Sequence, residues 1–505
     1  MAFLRHLLPV LTLGSAAQSA VLAQDKFQNR CETFAHKIDI PNVRVNIASY
    51  IPRSTNLTLD NVPACDQSQV VSSDICRVAM AVTTSDASEI TLEAWFLRAY
   101  AGRFLSTGNG GLGIQYSDLD YASRLGFATV GANNGHNGTS GEPFYEAPEV
   151  LEDFVYRSVH TAIVVGKQLT RLFYEEGFDT SYYLGCSTGG RQGFKLAQDF
   201  PGELDGIVAG APAINFIGLL SWSAHFYPIT GPVGSATYLS LDEWDLVHEE
   251  VLRQCDGLDG AEDSIIEDPD LCHPNVTTLL CGPDAALGSC LTAAQVNTVH
   301  ELIYPRMQPG GEQFAAPIMY NGQPFQYSKD WWRYAVYSDP TWNATKWTVK
   351  DAEAALRQNP YNIQTWNAEL SLLRDSGSKL LTYHGLQDQL ISSDNSKLYY
   401  HRLLKNMGVT SSQLDEFYRF FQISGMAHCQ GGDGAYGIGN RAESEFSTEP
   451  GDNVLMAMVR WVEDGIAPET VRGAKEYYRK HCRYPRRNVY KGPGNYTDEN
   501  AWECV

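Results

Sequence analysis

The sequence predicts an α/β fold in which helices cover a mostly parallel sheet and a separate segment is inserted into the core. A strand, a helix and another strand follow one another between about residues 181 and 210, an order that builds parallel sheets. From 216 to 375 this alternation stops, Trp, Asn and Pro become frequent, and few strands are recognisable. We therefore assign 24–215 and 376–505 to the core and 216–375 to the inserted segment.

Apolar runs between turn residues define the individual elements. Residues 154–174 place apolar side chains at helical spacing, and charged residues and a glycine mark the end of this helix. The same reasoning predicts helices over 190–199, 393–407 and 454–465. The predicted strands cover residues 90–97, 103–106, 127–130, 181–184, 206–210, 379–383 and 417–423.

Length and composition indicate a soluble globular protein. The chain has 505 residues, of which 43% are apolar and 19% charged. Its formal net charge is −21 and no basic block stands out, which excludes nucleic acid or an anionic membrane surface as a partner. The sequence gives no indication of the oligomeric state.

The amino terminus has the features of a secretory signal peptide over residues 1–23. Arg5 supplies a positive charge, residues 7–13 form a short apolar run, and small residues lead to a cleavage site after Ala23. A membrane anchor is the alternative, but the run is too short and Pro9 interrupts it. We therefore expect a secreted, extracellular protein.

Cysteines and glycosylation motifs agree with secretion. The cysteine number is odd, so at least one is unpaired within the chain; the eleven are Cys31, Cys65, Cys76, Cys186, Cys255, Cys272, Cys281, Cys290, Cys429, Cys482 and Cys504. Five Asn-x-Ser/Thr motifs predict N-glycosylation at Asn56, Asn137, Asn275, Asn343 and Asn495.

A G-x-S-x-G motif places Ser187 between Gly185 and Gly189, after an aromatic strand and before a helix. Glycines are needed there because the serine occupies a strained turn where neighbouring side chains would clash. An ordinary strand-to-helix turn is the alternative. The context favours the nucleophile of an α/β-hydrolase core.

A nucleophilic serine needs a base and an orienting acid, which follow it in this fold in the order acid, then base. Asp388 comes just after a predicted strand, whereas its rival Asp394 begins a helix, where capping is the simpler role. His428 follows the next strand in a glycine-rich loop and is the predicted base. His384 and His136 are the next candidates, with a supporting role as the favoured interpretation.

Two cysteines flank the predicted catalytic residues. Cys186 directly precedes the nucleophile and Cys429 directly follows the base. If the triad forms, these cysteines lie close together, and a bridge would join the nucleophile turn to the histidine loop. Such a long loop closure contributes roughly 4 to 5 kcal/mol in the chain-entropy description.

The oxyanion hole requires two backbone N–H groups that point at the developing negative charge. Thr188, next to the nucleophile, is expected to supply one of them. The glycine-rich loop 108–111 is expected to supply the other, from Gly110 or Gly111. The alternative is that this loop is only a turn.

An acidic loop in the inserted segment alternates carboxylates with glycines: Asp256, Asp259 and Asp263. Hard oxygen donors of this kind suit Ca²⁺, with backbone carbonyls completing the shell, although the spacing is not that of an EF-hand. A solvated acidic turn is the alternative interpretation.

Three segments together resemble the tannase and feruloyl esterase family, and most closely the fungal type B feruloyl esterases. They are residues 183–193 (YLGCSTGGRQG), 417–426 (FYRFFQISGM) and 481–485 (HCRYP). The resemblance covers nearly the whole mature chain. It implies an α/β-hydrolase core with an inserted lid and the triad Ser187, Asp388 and His428.

The resemblance also implies a structural Ca²⁺ site in the lid and a set of disulfides. The implied ligands are the side chains of Asp256, Asp259 and Asp263 and the carbonyls of Ala261 and Ile265. Besides Cys186–Cys429, the implied bridges are Cys31–Cys76, Cys255–Cys272, Cys281–Cys290 and Cys482–Cys504. Relatives usually carry a cysteine just after the glycine-rich loop, but here Gly113 precedes Ile114, so Cys65 is expected to lack its partner.

The function implied is hydrolysis of feruloyl or p-coumaroyl esters, that is hydroxycinnamoyl esters, on plant cell-wall polysaccharide. Tannase activity on galloyl esters is the nearest alternative, since both activities use the same catalytic residues. A non-catalytic carbohydrate-binding protein on the same fold is a third hypothesis, which the complete triad disfavours.

Overall fold

The computed structural model describes residues 26–59, 68–112, 119–284, 288–306 and 312–505. The predicted signal peptide, Cys65 and the segment after Leu112 lie outside the described residues. Nine strands within the described ranges form one large sheet: β1 Val43–Ile51, β2 Ile75–Ser85, β3 Ser88–Leu97, β4 Arg103–Thr107, β5 Phe127–Ala132, β6 Thr180–Cys186, β7 Gly206–Gly210, β8 Lys379–Gly385 and β9 Tyr418–Ile423.

The order of the strands across the sheet is β1-β2-β3-β5-β4-β6-β7-β8-β9. The six strands from β5 to β9 in this order run parallel, and their carboxyl ends therefore meet at one edge. β1, β2 and β3 extend the sheet by antiparallel pairing. The prediction of a mostly parallel sheet is confirmed.

Strands β1 and β2 were not predicted. Most of β2 is buried on both faces, so its side chains do not alternate between apolar and polar types. β1 lies at the edge of the sheet and mixes exposed and half-buried residues. β2 therefore lacks the two-residue period that identifies a strand in a sequence, and in β1 the alternation of Val43 to Asn46 is interrupted by a register shift between Val45 and Ile47.

Helices cover both faces of the sheet and make up most of the lid. The predicted helix before β6 begins with one π-helical segment, Asp153–Arg157, and continues as an α-helix. The α-helices are Leu119–Arg124, Pro148–Glu152, Ser158–Tyr174, Thr188–Asp199, Phe216–Ala224, Phe226–Thr230, Leu241–Cys255, Ala293–Arg306, Glu312–Met319, Gln326–Asp330, Val349–Gln358, Ser371–Asp375, Asp394–Met407, Ser411–Leu414 and Val454–Asp464. Three short hairpins complete the fold: Asn56–Thr58 with Ser68–Val70, Thr470–Ala474 with Tyr478–Cys482, and Asn488–Tyr490 with Trp502–Cys504.

The apolar core has one layer on each face of the sheet. Tyr182 and Tyr183 are neighbours in β6 and enter opposite layers, as the alternation of a strand requires. The segment between β7 and β8 builds a further cluster of its own, centred on Trp244 and Tyr320, which stack on each other. A second cluster joins this segment to the core, because Phe216, Trp331 and Trp332 pack with Phe144 and Phe154.

Disulfides join segments at several levels of the fold. All five implied bridges are formed: Cys31–Cys76, Cys186–Cys429, Cys255–Cys272, Cys281–Cys290 and Cys482–Cys504. The two in the lid close short segments, with sequence separations of 17 and 9 residues. Only Cys186–Cys429, among these five, spans the lid in sequence, with a separation of 243.

Candidate active site

The nucleophile turn lies between β6 and the helix Thr188–Asp199. Ser187 has φ 66° and ψ −123°, a left-handed conformation that costs a non-glycine residue free energy. A side chain on Gly185 would meet the carbonyl oxygen of Gly189 at 2.7 Å, so only glycine fits there. The Ser187 N–H donates to the carbonyl of Gly210 at 3.0 Å, which holds the turn against β7.

The predicted acid and base lie together at the edge where the parallel strands end. Asp388 follows β8, and His428 follows β9. The Nδ1 atom of His428 lies 2.8 and 3.0 Å from the two carboxylate oxygens of Asp388. An Nδ1–H that donates to this carboxylate leaves Nε2 without a proton, and Nε2 is then able to accept one from a serine.

The carboxylate of Asp388 is fully buried and held by backbone donors. Its Oδ1 accepts hydrogen bonds from the N–H groups of Leu390 and Ile391, both at 2.9 Å. Burial alone raises the pKa of Asp388. The charge of His428 and hydrogen bonds from His384 and His428 outweigh burial, so the pKa lies well below its usual value. Asp388 is therefore a permanent anion behind the histidine at any pH near neutrality.

A second imidazole contacts this carboxylate. His384 is fully buried, and its Nε2 lies 3.2 Å from Oδ2 of Asp388 and 2.9 Å from the carbonyl oxygen of Ile391. Because a carbonyl only accepts, Nε2 carries the proton. The Nδ1 atom lies 2.7 Å from the hydroxyl of Ser396. His384 thus supports the acid rather than acting as the base, the role favoured by the sequence.

The bridge Cys186–Cys429 connects the two halves of the site. Its Cα atoms are 6.1 Å apart, which places the residue before Ser187 beside the residue after His428. The histidine loop is held further by Gln389, whose Oε1 accepts from the His428 N–H at 3.0 Å. The nucleophile turn and the histidine loop are therefore joined covalently at the positions next to the reacting groups.

The rival residues lie elsewhere. Asp394 begins the helix Asp394–Met407 and pairs with Lys397 at 2.6 Å. His136 is buried, its Nε2 lies 2.7 Å from the Leu112 carbonyl, and burial lowers its pKa. The carboxylate that His428 contacts is thus that of Asp388, while Asp394 and His136 have the other partners named here.

The glycine-rich loop contacts the nucleophile turn, as an oxyanion loop must. The hydroxyl of Thr188 donates to the Gly111 carbonyl at 2.7 Å. Two N–H groups of the loop are already engaged, Gly108 with the Leu184 carbonyl and Asn109 with Gln192 Oε1. As a first-turn residue, Thr188 has no partner for its N–H within the helix. Its N–H and that of Gly110 or Gly111 remain the predicted oxyanion donors.

A cavity opens beside Ser187 between the sheet edge and the lid. Its polar lining is sparse, and most of the surrounding side chains are aliphatic or aromatic. It is lined by Gly111, Leu112, Ser187, Thr188 and Ala213 from the core, by Phe216, Leu219, Leu220, Ser223, Phe325 and Tyr327 from the lid, and by Leu390 and Ile391 after β8. An apolar chamber next to a nucleophile suits the acyl group of an ester.

The acidic loop of the lid is compact and partly buried. Asp256 Oδ1 accepts from the N–H groups of Asp263 and Ile265, and the carboxylate of Asp259 accepts from the Ala261 N–H. Burial raises the pKa of Asp259 to about 7. Within the described ranges, no group of three or more His, Cys, Asp or Glu side chains is arranged to hold a metal ion.

One carboxylate of this loop has a partner far along the chain. Arg479 is buried and lies 3.1 Å from Asp263 and 2.7 Å from Glu267. Its guanidinium also stacks 3.4 Å from the ring centre of Trp502. The carboxy-terminal hairpins therefore hold the acidic loop in place, a contact that the sequence did not predict.

The predicted glycosylation sites are accessible. Each of the five asparagines is exposed: Asn56, Asn137, Asn275, Asn343 and Asn495. A sugar could be attached to any of them without displacing core side chains. A separate observation concerns the bilayer: none of the helices in the described chain is long and apolar enough to cross it.

Comparison with known proteins gives three consistent findings. The sequence model described as "Tannase and feruloyl esterase" matches residues 73–339 and 333–505. The chain is 86% identical to a probable feruloyl esterase B of Emericella nidulans over the full length of both proteins. It matches the crystal structure of an esterase from Aspergillus oryzae with TM-score 0.93 and 66% identity, covering 95% of this chain and 100% of that one.

A second solved structure agrees. Feruloyl esterase B from Aspergillus oryzae matches with TM-score 0.92 and 51% identity over 95% of this chain and 100% of that one. At these identities the similarity extends beyond the fold. The α/β-hydrolase core with an inserted lid, predicted from the sequence, is confirmed.

Proposed function

The chain belongs to the tannase and feruloyl esterase family and is a carboxylic ester hydrolase, and from this premise we propose that it hydrolyses hydroxycinnamoyl esters of plant cell-wall polysaccharide. Its substrates are feruloyl and p-coumaroyl groups esterified to sugar hydroxyls. The observation that carries the proposal is the apolar cavity that has Ser187 in its wall.

The reaction proceeds through an acyl-enzyme. The Oγ of Ser187 attacks the ester carbonyl carbon while Nε2 of His428 takes the hydroxyl proton. The N–H groups of Thr188 and the glycine-rich loop bind the negative oxygen that forms. His428 then gives its proton to the departing sugar oxygen. Water, activated by His428, attacks the acyl carbon and releases the free acid together with Ser187.

The lining of the cavity favours hydroxycinnamoyl over galloyl groups. A galloyl ring carries three hydroxyls, and each would lose its hydrogen bonds to water on entering an apolar chamber. Apart from the hydroxyls of Ser223 and Tyr327, the lid side of the lining offers no hydrogen-bonding side chains; it consists of Phe216, Leu219, Leu220 and Phe325. A p-coumaroyl group has one hydroxyl and a long apolar body. Tannase activity remains the alternative, and the names of the relatives favour the feruloyl assignment.

Steady-state kinetics on three model esters test this proposal. We expect kcat/KM for methyl ferulate and methyl p-coumarate to exceed that for methyl gallate by at least about thirtyfold, since two further unpaired hydroxyls each cost roughly 1 to 3 kcal/mol. Ser187→Ala is the control for contaminating esterase. Faster hydrolysis of methyl gallate would replace the proposal by tannase activity, and xylan binding without hydrolysis of any aryl ester would indicate a carbohydrate-binding protein.

The acidic loop is also proposed to hold a structural Ca²⁺. Its ligands would be the side chains of Asp256, Asp259 and Asp263 and the carbonyls of Ala261 and Ile265. The donor set fits, because all five ligand atoms are hard oxygens. Burial raises the pKa of Asp259, and a bound cation would favour its ionised form and so compensate the cost of burying the carboxylate. In this structure backbone N–H groups and Arg479 occupy these carboxylates, so binding requires them to turn toward the ion. Bound Ca²⁺ would offset two of the three negative charges of its carboxylate ligands and stabilise the lid.

We further propose secretion with removal of residues 1–23 and glycosylation of the five exposed asparagines. The signal-peptide features, the five disulfides and the accessible sequons support an extracellular enzyme. Treatment of the secreted protein with an endoglycosidase, followed by intact mass measurement, would count the sugars. Amino-terminal sequencing would show whether the mature chain begins after Ala23.

A further inference from the structure

We propose that Ser223 determines acyl specificity by accepting a hydrogen bond from the phenolic hydroxyl of the substrate. This inference rests on the proposed function, since it concerns how a hydroxycinnamoyl group is recognised in the same cavity. Ser223 is 2% exposed and lines the cavity that also contains Ser187. Nothing in the motifs around the nucleophile points to this serine.

The helix Phe216–Ala224 gives Ser223 its position. Phe216, Leu219, Leu220 and Ser223 all line the cavity, and their spacing of three, four and seven residues places them on one face of this helix. The helix begins just after Ala213, whose N–H donates to the Ser187 carbonyl at 3.1 Å. Ser223 lies about 10 Å further along the helix axis than Phe216. It therefore stands at the end of this wall that is remote from the nucleophile.

The other lid hydroxyl in the lining is near the catalytic end. A Cβ atom built on Gly111 would lie 2.7 Å from the hydroxyl of Tyr327. Gly111 belongs to the predicted oxyanion loop and accepts a hydrogen bond from Thr188. Tyr327 is thus placed beside the reacting carbonyl, and Ser223 is the hydroxyl placed to meet the far end of an acyl group.

The hydrogen-bond partners of Ser223 make it an acceptor. Its Oγ lies 3.0 Å from the Leu219 carbonyl and 2.9 Å from the hydroxyl of Ser328, which itself lies 2.9 Å from the Leu220 carbonyl. The two serines have two hydroxyl hydrogens, and both are satisfied within this group in every arrangement. A hydroxyl oxygen has two lone pairs, and Ser328 uses at most one of those on Ser223. Ser223 therefore has capacity left to accept, and it favours a ligand that donates.

The length of the acyl group selects which donor reaches Ser223. In a p-coumaroyl group the ring and a rigid propenoyl chain separate the carbonyl carbon from the phenolic oxygen by on the order of 8 Å, from ordinary bond lengths. That span is comparable with the distance along the helix. A galloyl group lacks the two-carbon spacer, so its hydroxyls end short of Ser223 when its carbonyl is at Ser187. The phenol of a hydroxycinnamate is the donor that fits.

The test compares methyl p-coumarate with methyl cinnamate, which has the same shape without the hydroxyl. In Ser223→Ala, we expect the ratio of kcat/KM for methyl p-coumarate to that for methyl cinnamate to fall by about five- to tenfold, the worth of one neutral hydrogen bond. The rate on methyl cinnamate should stay within about twofold of the parent, which also shows that the variant is folded. Ser221→Ala is the matched control, because Ser221 lies on the same helix and donates to the carbonyl four residues earlier, at 2.7 Å, but does not line the cavity.

An unchanged ratio in Ser223→Ala would overturn the inference, as would an equal loss on both esters or the same effect in Ser221→Ala. The parent enzyme distinguishes this failure from failure of the proposed function. If the parent hydrolyses methyl p-coumarate well and only the ratio test fails, Ser223 is not the determinant and the proposed function stands. If the parent prefers methyl gallate, the proposed function and the inference both fall.

Discussion

The two walls of the active-site cavity are built in different ways. The core wall contains Ser187, and this serine and the Asp388–His428 pair are fixed by backbone hydrogen bonds, buried partners and the Cys186–Cys429 bridge. On the lid side, the wall consists of side chains of the helix Phe216–Ala224 and its neighbours, and the disulfides of the lid close only short segments. If the proposed function is correct, this difference means that the core positions the chemistry while the lid selects the acyl group. Changes on the core side should alter turnover, and changes in the lid should alter stability or preference.

Removing the acid should have the largest effect. Asp388→Asn takes away the anion that orients His428 and favours its correct tautomer, and we expect kcat to fall by about 10⁴-fold with an intact fold. Asp394→Asn is the matched control, because Asp394 pairs with Lys397 at the start of a helix. Ester hydrolysis assays measure kcat for both variants, and circular dichroism shows whether they are folded. A severe loss in Asp394→Asn with a normal rate in Asp388→Asn would mean that the acid is misassigned.

Loss of the bridge between the two catalytic loops should have the second-largest effect on the rate. A typical disulfide stabilises a protein through its unfolded state, so its loss lowers Tm and spares the native rate. The Cys186–Cys429 bridge lies next to both reacting groups, and a misplacement of roughly 1 Å costs about a hundredfold in rate. We expect the double variant Cys186→Ala, Cys429→Ala to lose about that factor in kcat at a temperature where it is folded.

The pair Cys281 and Cys290, changed to alanine, is the control for this bridge. It closes a short lid segment and should lower Tm without reducing kcat. If the core variant behaves like this control, losing only heat stability, then the bridge does not contribute to the catalytic geometry.

Removal of metal should affect stability more than rate. If the acidic loop of the lid binds Ca²⁺, EDTA should lower Tm by about 2 to 5 °C, because a bound ion stabilises only the folded state. The rate at moderate temperature should hardly change, since the ligands belong to the lid. Calorimetry with metal analysis before and after chelation checks this, and Asp259→Asn should remove the response. An unchanged Tm after confirmed metal loss would exclude a structural ion.

The smallest expected effect is that of acid on stability. Lowering the pH should reduce the free energy of unfolding through the protonation of His481. Burial lowers the pKa of His481 to about 4, below the value of about 6.5 for an unfolded chain. Between these values the unfolded state binds more protons, so stability falls as pH decreases from 6.5 and stops falling below about 4. From pH 6.5 to 5.0, this residue should remove about 2 kcal/mol of the free energy of unfolding.

Urea unfolding of His481→Gln at both pH values measures this contribution. The variant should lose about 2 kcal/mol less than the parent over the interval. His36→Gln, which changes an exposed histidine, should lose as much as the parent. Equal losses in all three proteins would show that His481 is not responsible.

The catalytic core could be predicted because its signals are local and ordered. Ser187 is marked by a motif within five residues, and Asp388 and His428 each follow a recognisable strand. A parallel sheet brings the ends of such strands to one edge, so their order along the chain is enough to place them together. The alternation of strands could not reveal β2, because both of its faces are buried.

The lid wall of the cavity could not be predicted from the sequence, and the reason is physical. Whether Ser223 lines the cavity depends on how the helix Phe216–Ala224 is rotated against the core, and its own sequence gives no such information. The contact between Asp263 and Arg479 likewise joins residues 216 positions apart, so no local pattern could indicate it. Sequence therefore predicts where the reaction occurs better than which acyl group enters.

Covalent labelling tests the central claim, that Ser187 is a nucleophile activated by the core. A fluorophosphonate reacts with a serine only where a base and an oxyanion hole activate it, and it leaves a stable phosphonyl group. Peptide mapping by mass spectrometry should find the label on Ser187, with activity lost in proportion to labelling. His428→Ala should react at least about a hundredfold more slowly. Stoichiometric labelling of a different residue, or full activity in enzyme labelled at Ser187, would contradict the account.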